Sequence, residues 1–179
     1  MAALLVFESM FGNTQQVADA VTAGLSRHLA VDQVEVGAAP ATIGRDVELL
    51  VVGGPTHAFG LTRPRTRRSA AQQAEDGLVS TGIGLREWLG TLSQSGASDV
   101  AVACFDTRVS KPRLPGSAAA SAEKQLRLLG FRVLARSQSF FVGGTTGPLV
   151  PGERERARRW GEGLALEFIA ARPSQQQVP

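Results

Sequence analysis

Three short, largely apolar runs, each followed at once by small or polar residues, constrain the fold of this chain more than any other feature. They cover residues 3–7, 47–52 and 100–105. Runs of this length are typical of parallel strands that are buried on both faces of a sheet. The sequence therefore predicts an α/β domain with a central parallel sheet, provided that helices lie between the runs to cover its faces.

Four segments have the periodicity of such helices, because apolar residues recur in them every three or four positions. Residues 31–36 alternate and predict a more exposed strand, while residues 131–141 predict a last strand with a break near Arg136. The predicted order is β-α-β-β-α-β-α-β-α, with the second helix reduced to one turn at most within residues 37–45. The predicted helix faces are Val17, Val21, Leu25 and Leu29; Leu85, Trp88, Leu89 and Leu92; Ala118, Ala122, Leu126 and Leu129; and Ala157, Trp160, Leu164 and Phe168.

The length and the loop pattern predict a single domain. The chain has 179 residues and shows no internal repeat and no second set of core residues. Residues 61–83 are poor in large apolar side chains and predict a long loop, which in a compact domain is usually functional or disordered. A further loop is predicted over residues 106–115. We expect the domain to span residues 1–172, followed by a flexible tail over residues 173–179.

Composition argues against several classes of protein. The formal net charge is +3, and no basic stripe with interleaved aromatic residues points to a nucleic-acid partner. No apolar run approaches the roughly 20 residues that cross a bilayer, so we expect no membrane insertion. Cys104 is the only cysteine, which rules out an intrachain disulfide and suits a reducing compartment. The first residues lack the basic start of a signal peptide, and we expect the protein in the cytoplasm.

The loop after the first predicted strand gives the first indication of a binding site. It reads Glu8-Ser9-Met10-Phe11-Gly12-Asn13-Thr14 and leads directly into a predicted helix. A helix N-terminus offers unpaired N–H groups and a partial positive charge, which together form a site for an anion such as phosphate. Ser9, Asn13 and Thr14 add short hydrogen-bond donors, and Gly12 lets the backbone approach closely. The same residue types also favour helix caps, so a purely structural turn is an alternative.

Other phosphate-binding and signalling folds do not match this loop. The Gly-x4-Gly-Lys-Ser/Thr and Gly-x-Gly-x-x-Gly patterns of nucleotide-binding folds are both absent. A response-regulator receiver would need clustered carboxylates after the first strand and an Asp after the third, where this chain has Glu8 alone and Gly53-Gly54-Pro55. Neither a Gly-x-Ser-x-Gly elbow nor a cluster of metal ligands occurs, so we assign no catalytic residue and no metal ligand.

Two further loops follow the other buried strands. One is Gly54-Pro55-Thr56-His57-Ala58-Phe59-Gly60 and the other begins with Asp106-Thr107-Arg108. The first resembles the Gly-x-Pro-Thr-x-x-Phe-Gly loop of flavodoxin-like NAD(P)H:quinone oxidoreductases, and residues 9–14 resemble the Thr/Ser-x-Thr/Phe-Gly-Asn-Thr phosphate loop of flavodoxins. The resemblance covers residues 2–171. It implies a flavodoxin-like, three-layer, doubly wound α/β fold with a five-stranded parallel sheet of order 2-1-3-4-5.

The resemblance also implies FMN as the cofactor and a role in electron transfer. FMN lies at the topological switch point of such a sheet, where the carboxyl ends of the first and third strands diverge. The implied reaction is reduction of a quinone-like or protein acceptor, with electrons from NAD(P)H or a reductase. The implied FMN-binding residues are Ser9, Met10, Phe11, Gly12, Asn13 and Thr14 around the phosphate; Pro55, Thr56, His57, Ala58, Phe59 and Gly60 beside the ring; and Asp106, Thr107 and Arg108 on its pyrimidine side.

Several individual roles stay open at this point. His57 could donate a proton or face solvent, and Phe59 could stack on the flavin or pin its loop to the core. Arg108 could lie beside the flavin or form a surface ion pair. The arginines of the long loop could be merely solvated, or could bind the phosphates of NAD(P)H or an acidic redox partner. These arginines are Arg63, Arg65, Arg67 and Arg68.

The function also has alternatives. Flavodoxins commonly hold the flavin ring between aromatic residues such as Trp and Tyr, whereas this chain has no Tyr and both Trp residues lie on predicted core faces. A flavodoxin-fold binding or scaffold module that has lost flavin is therefore a second hypothesis. An accessory domain that serves another redox enzyme is a third. Nothing in the sequence indicates an oligomeric state.

Overall fold

A computed structural model describes residues 2–74, 77–93, 99–111 and 115–172. The tail predicted over residues 173–179 lies outside the described residues. The helices and strands are, in chain order, β1 Ala2–Phe7, α1 Asn13–Leu25, β2 Ala30–Glu35, β3 Val47–Pro55, α2 Pro64–Gln73, α3 Leu85–Leu89, β4 Ala101–Val109, α4 Ala118–Leu128, β5 Arg132–Val133, β6 Gln138–Val142 and α5 Glu153–Ala170, with a short 3-10 turn over Val36–Ala38.

The strands form one parallel sheet of order β2-β1-β3-β4-β5, as the resemblance implied. The predicted count of five strands needs a correction, because β6 also pairs with β4. β5 pairs with residues 101–102 of β4 and β6 pairs with residues 105–109. The two short strands therefore follow one another along the same side of β4, and the predicted break near Arg136 separates them.

The side chains of each buried strand alternate between two cores, one on each face of the sheet. In β1, Leu4 and Val6 point to one core, and Ala3, Leu5 and Phe7 point to the other. The first core is closed by α3 and α4, and the second by α1 and α5. Burial on both faces explains why the strands read as continuous apolar runs. It confirms the predicted three-layer arrangement.

The predicted loop over residues 61–83 is wrong in part, because α2 lies within it. The helix buries only Ala70, so no apolar periodicity marks it in the sequence. Its start is nevertheless well defined: Pro64 is the first helical residue, and the hydroxyl of Thr66 accepts the N–H of Arg63 at 2.9 Å. Pro at this position and a polar side chain that reaches back are both helix-start signals.

Two other boundaries differ from the predictions. The loop predicted from residue 106 begins later, because residues 106–109 continue β4; Asp106 and Thr107 pair with Gly54 and Pro55 of β3. α3 ends at Leu89, so Leu92 lies beyond it, although its side chain is buried. Within the described residues, no helix combines the length and the apolar character that crossing a membrane requires.

Candidate functional site

The carboxyl ends of β1, β3 and β4 meet at one edge of the sheet, and the predicted site residues gather there. A hollow of about 70 Å³ opens between these three strand ends. Two further hollows, of about 270 Å³ and about 110 Å³, form the neighbouring parts of the crevice. Thr56, Ala58 and Val109 line both of them. Ten of the predicted residues line the first hollow: Ser9, Met10, Phe11, Asn13, Thr14, Pro55, Thr56, His57, Thr107 and Arg108.

The other five predicted residues lie around this centre. Ala58 and Phe59 line the hollow of about 110 Å³, and Gly12 lines an adjoining one of about 560 Å³. Gly60 and Asp106 line none of these hollows. The structure therefore brings the three loops together, but it gives Asp106 and Gly60 supporting positions behind the crevice.

The N-terminus of α1 faces the crevice, and no acidic side chain of the helix's first turn neutralises its partial positive charge. The cap residue of α1 is Gly12, at φ +81. The N–H groups of the first turn have no carbonyl partner within the helix; that of Gln15 reaches the Ser9 hydroxyl at 3.3 Å. A Cβ at position 12 would meet no atom within 4 Å, so an outside group can approach this backbone closely. The arrangement suits a bound anion.

Short hydroxyl and amide groups surround this helix end. The Thr14 and Thr107 hydroxyls are 2.7 Å apart and buried, and they join the first turn of α1 to β4. The Asn13 amide donates to the carbonyl of Thr146 at 2.9 Å. These side chains can rotate a donor towards a ligand, but without one they satisfy each other. Thr145 and Thr146 belong to a loop that the sequence reasoning missed.

That missed loop covers residues 143–147 and follows β6. Thr145 lines the central hollow together with Val142, the last residue of β6. The composition Gly-Gly-Thr-Thr-Gly after a strand could have indicated it, since small and hydroxyl residues at a carboxyl strand end are the same signal as in residues 9–14. The predicted last strand ended at residue 141, and no role was assigned to the residues after it, so this loop was not placed at the edge of the sheet.

A strap formed by residues 77–85 holds the loop after β1 in place. The N–H groups of Val79 and Ser80 donate to the carbonyls of Met10 and Ser9 at 3.0 and 2.8 Å. In return, the Ser9 N–H donates to the Ser80 hydroxyl at 2.9 Å, and that hydroxyl donates to Glu35 at 2.6 Å. The backbone of the loop is thus fixed on the side away from the crevice, which leaves the crevice side available for a ligand.

Glu8 is fully buried directly before the loop and anchors the strap and α2. Its carboxylate accepts the hydroxyl of Thr62 at 2.5 Å and the N–H of Leu85 at 2.9 Å. Burial raises the pKa of Glu8 above its usual range, despite these two hydrogen bonds and the nearby positive charge of Arg67. A buried carboxylate enclosed by protein donors is a structural element here, since it lines none of the hollows of the crevice.

Arg67 belongs to this anchor, so the hypothesis that it binds NAD(P)H or a partner is wrong. Its guanidinium donates to the Thr62 hydroxyl at 3.1 Å and to Glu87 at 3.0 Å, and only 12% of its side chain is exposed. Burial alone would raise the pKa of Glu87, but the hydrogen bonds from Arg67 and the Gly84 N–H outweigh it and lower that pKa. Arg63, Arg65 and Arg68 are exposed on the same helix.

Asp106 fixes the loop after β3 to the start of α4. One carboxylate oxygen accepts the hydroxyls of Thr56 and Ser117 at 2.9 and 2.5 Å and the N–H of Ala119 at 3.1 Å. Its other oxygen is buried and finds no donor among the described residues. The Thr56 hydroxyl in turn accepts the N–H of Ala118 at 2.8 Å. Asp106 is therefore a positioning residue, and Thr107 and Arg108 are the members of this segment that reach the crevice.

Residues 57–60 form a tight turn at the rim of the crevice. The N–H groups of His57 and Gly60 each donate to the other residue's carbonyl, at 2.9 and 3.1 Å. Ala58 and Phe59 between them have φ of 44° and 76°, a conformation that costs a non-glycine residue about 1 kcal/mol or more. Phe59 is 58% exposed, so it does not pin the turn to the core. A strained turn that presents an aromatic ring to solvent is characteristic of a ligand-contacting position.

His57 is partly buried rather than turned to solvent, and burial lowers the pKa of its imidazole. It therefore faces the crevice chiefly in its neutral form. Cys104 is fully buried in β4, and burial raises the pKa of its thiol, which makes it unreactive. No group of three or more His, Cys, Asp or Glu side chains that could hold a metal is found in the described ranges.

Solved structures with the same fold are flavodoxins and proteins that contain such domains. Flavodoxin 1 from Bacillus cereus matches with a TM-score of 0.67 and 15% identity, over 97% of this chain and 100% of that one. A flavodoxin from the domain Archaea matches with a TM-score of 0.63 and 15% identity, over 94% and 99% of the two chains. Rubredoxin oxygen:oxidoreductase from Desulfovibrio gigas matches with a TM-score of 0.61 and 16% identity, over 94% of this chain and 36% of that one.

No protein-family model and no curated protein sequence matches the chain. At identities of 15–16% the structural matches establish the fold and nothing beyond it. They agree with the strand order β2-β1-β3-β4-β5 and with the helix layers on both faces. The chain therefore has the flavodoxin-like fold that its loop motifs predicted.

Proposed function

We propose that this chain binds FMN at the carboxyl edge of the sheet and takes part in electron transfer. The observation that carries the proposal is the N-terminus of α1, which begins at Gly12 without an acidic residue in its first turn. It lies at the end of β1, beside β3, where the chain continues on opposite sides of the sheet. Flavodoxin-like folds bind FMN at such a switch point.

The residues present fit the chemical parts of FMN. The first-turn N–H groups of α1, with the hydroxyls of Ser9 and Thr14, form a donor set for the phosphate. The hollow beside them, of about 70 Å³, adjoins the one of about 270 Å³, and their combined volume falls at the lower end of the roughly 300–1,000 Å³ of ligand pockets. Phe11 lines both hollows, and the exposed ring of Phe59 lies at the rim.

Bound FMN would supply reversible uptake of one or two electrons, and the protein would bind, orient and shield it. In this proposal Thr107 and Arg108 lie on the pyrimidine side of the ring, as the resemblance implies, and the backbone of residues 55–60 lies beside it. The electrons would come from a redox partner protein or from NAD(P)H, with a quinone-like or protein acceptor. A reducing, cytoplasmic setting is part of the proposal, since the single cysteine forms no intrachain disulfide.

The first experiment compares FMN with riboflavin, which lacks the phosphate. Purified protein is titrated with each flavin, and the quenching of flavin fluorescence gives the Kd. We expect FMN to bind about 100-fold more tightly, because the helix end and the surrounding hydroxyls act on the phosphate. Equal affinity for the two flavins would remove the phosphate site from the proposal.

A matched pair of variants locates the phosphate. Thr14→Val removes a hydroxyl in the first turn of α1, and we expect about a tenfold loss of FMN affinity, worth about one hydrogen bond to a charged group. Thr22→Val makes the same change in the same helix, where the hydroxyl bonds to Gln33 at 2.5 Å. It should leave the affinity unchanged. If both variants bind FMN like the wild type, the phosphate lies elsewhere.

A binding or scaffold module without flavin is the second candidate function. It is favoured by the polar groups around the helix end, which already pair among themselves: Thr14 with Thr107, and Asn13 with Thr146. Under this alternative no flavin stays with the protein even in large excess. A visible spectrum of the protein after gel filtration with FMN distinguishes the two candidates.

A further inference from the structure

The outer surface of α2 carries positive charge that no carboxylate of the described residues neutralises. Arg63, at its cap position, and Arg65 and Arg68 within it are exposed. Among the described residues no carboxylate forms an ion pair with any of the three. The helix itself contains no acidic residue, and the next acids in the sequence come seven or more positions after Arg68, beyond the reach of an i,i+4 pair.

Several arginines in other parts of the chain form ion pairs with glutamates. The long helix α5 pairs three of its four arginines with glutamates placed three or four positions away, and Arg172 and Arg127 also have partners. Arg67, in the same helix as the cluster, pairs with Glu87. Paired arginines of this set are Arg27, Arg67, Arg127, Arg156, Arg158, Arg159 and Arg172. The cluster on α2 therefore differs from α5: it gathers three arginines within six positions that have no carboxylate partner among the described residues, whereas three of the four arginines of α5 are paired.

The geometry of α2 separates this charge from the interior of the crevice. Thr66, Ser69, Ala70 and Gln73 line the hollow of about 270 Å³, so they define the inner face of the helix. At about 100° per residue, Arg68 lies roughly opposite that face, and residue 65 lies to its side. A small molecule within the crevice would not reach Arg68. A dinucleotide such as NAD(P)H is therefore a poor fit for the cluster, whereas a protein surface laid against the outside of α2 would meet all three charges.

The cluster is also close to the open side of the proposed flavin site. Three residues separate the exposed ring of Phe59 from Arg63 in sequence, and Ala58 lines the same hollow as Thr66 and Ser69. A protein that sits on the arginines would border the rim of the crevice. Electrostatic attraction of this kind accelerates association and orients the partner more than it adds affinity.

We propose that Arg63, Arg65 and Arg68 form the docking surface for an acidic redox protein. The inference rests on the proposed function, because it names the redox partner that would bind beside the proposed flavin site. The charge complementarity itself depends only on the arginines.

The test uses a fluorescently labelled, plant-type [2Fe–2S] ferredoxin as an acidic redox probe, and basic cytochrome c as the opposite case. The Kd is measured by anisotropy at about 20 and about 200 mM ionic strength, with and without FMN. The double variant Arg65→Glu/Arg68→Glu should weaken ferredoxin binding at least tenfold at low salt. Both side chains are exposed, and glutamate at position 65 lies in the first turn, where the helix dipole favours it, so the fold should tolerate these changes.

The matched control is Arg45→Glu/Arg132→Glu. Both residues are exposed at the opposite edge of the sheet, before β3 and at the start of β5, and the change in net charge is the same. It should weaken binding by less than threefold. The proposal is overturned if the two double variants weaken the binding of ferredoxin equally, or if cytochrome c binds as tightly as ferredoxin. It is also overturned if the binding of NADPH depends on Arg65 and Arg68 while the binding of ferredoxin does not. Ferredoxin binding without any FMN binding would overturn the proposed function alone.

Discussion

Two helices begin at the same edge of the sheet and neutralise their N-termini in opposite ways. α4 uses the chain's own carboxylate, because Asp106 accepts the N–H of Ala119 and the Ser117 hydroxyl accepts that of Ala120 at 3.0 Å. α1 begins at Gly12 and has no acidic residue in its first turn. The contrast shows that this chain places a carboxylate at a helix end where the fold needs one. The proposed phosphate site rests on this difference at α1.

The largest expected effect tests the α4 side of this comparison. Asp106→Ala removes an acceptor of three hydrogen bonds from a fully buried position, and we expect the free energy of unfolding to fall by about 3 kcal/mol. Urea denaturation measures it. The control Asp46→Ala, at an exposed turn, should change stability by less than about 0.5 kcal/mol. A stability like that of the wild type would show that α4 does not depend on this carboxylate.

The next largest effect tests the α1 side. Gly12→Asp puts a negative charge where the phosphate is expected, and FMN affinity should fall about 100-fold relative to Gly12→Asn. Both side chains suffer the same backbone cost at φ +81, so the difference between them isolates the charge. Fluorescence titration gives both Kd values. Equal losses in the two variants would mean that backbone strain, not an anion site, limits position 12.

A third prediction uses the pH dependence of the Glu8 anchor. The folded state raises the pKa of Glu8 above 4.5, so folded protein binds more protons and stability falls as pH rises from about 4.5 through the folded pKa. Glu8→Gln should remove this fall, which begins at about pH 4.5. Glu87→Gln serves as the counterpart of opposite sign, because Glu87 has a lowered pKa, and its contribution is lost as pH falls below 4.5. Urea midpoints across pH measure both; parallel curves for wild type and Glu8→Gln would contradict the prediction.

The smallest expected effect concerns the strained turn. Ala58→Gly should raise the free energy of unfolding by up to about 1 kcal/mol, because glycine adopts a φ of +44° without the Cβ penalty. Ala171→Gly, at an exposed helix end with φ −79, should lower it by several tenths of a kcal/mol. If Ala58→Gly instead destabilises the protein like the control, the turn stores no strain.

The sequence predicted the parts of the fold in which burial imposes a pattern. The buried strands and the helices α1, α4 and α5 follow apolar periodicities, because each faces a core. α2 escaped detection because it buries Ala70 alone and lies over the crevice instead of over the sheet core. A polar helix leaves only its Pro64 start signal in the sequence.

The sequence predicted which residues gather at the candidate site better than it predicted the role of each one. The motifs of residues 9–14 and 54–60 gave the loops, and parallel topology brings their strand ends together. Asp106 and Arg67 could not be separated from ligand-facing neighbours by residue type, since only their hydrogen-bond partners show that they support other groups. The loop after β6 was missed because none of the motifs that carry the resemblance includes residues 143–147, although the break that precedes β6 was predicted.

That divided strand has a consequence for how this protein behaves at high concentration. An unbroken edge strand exposes a continuous row of N–H and C=O groups on which another molecule can add a strand, the first step of sheet aggregation. Here the outer row beside β4 consists of two residues, an interruption and five more. An incoming strand would find only short stretches in register, so this side of the sheet resists edge-to-edge polymerisation.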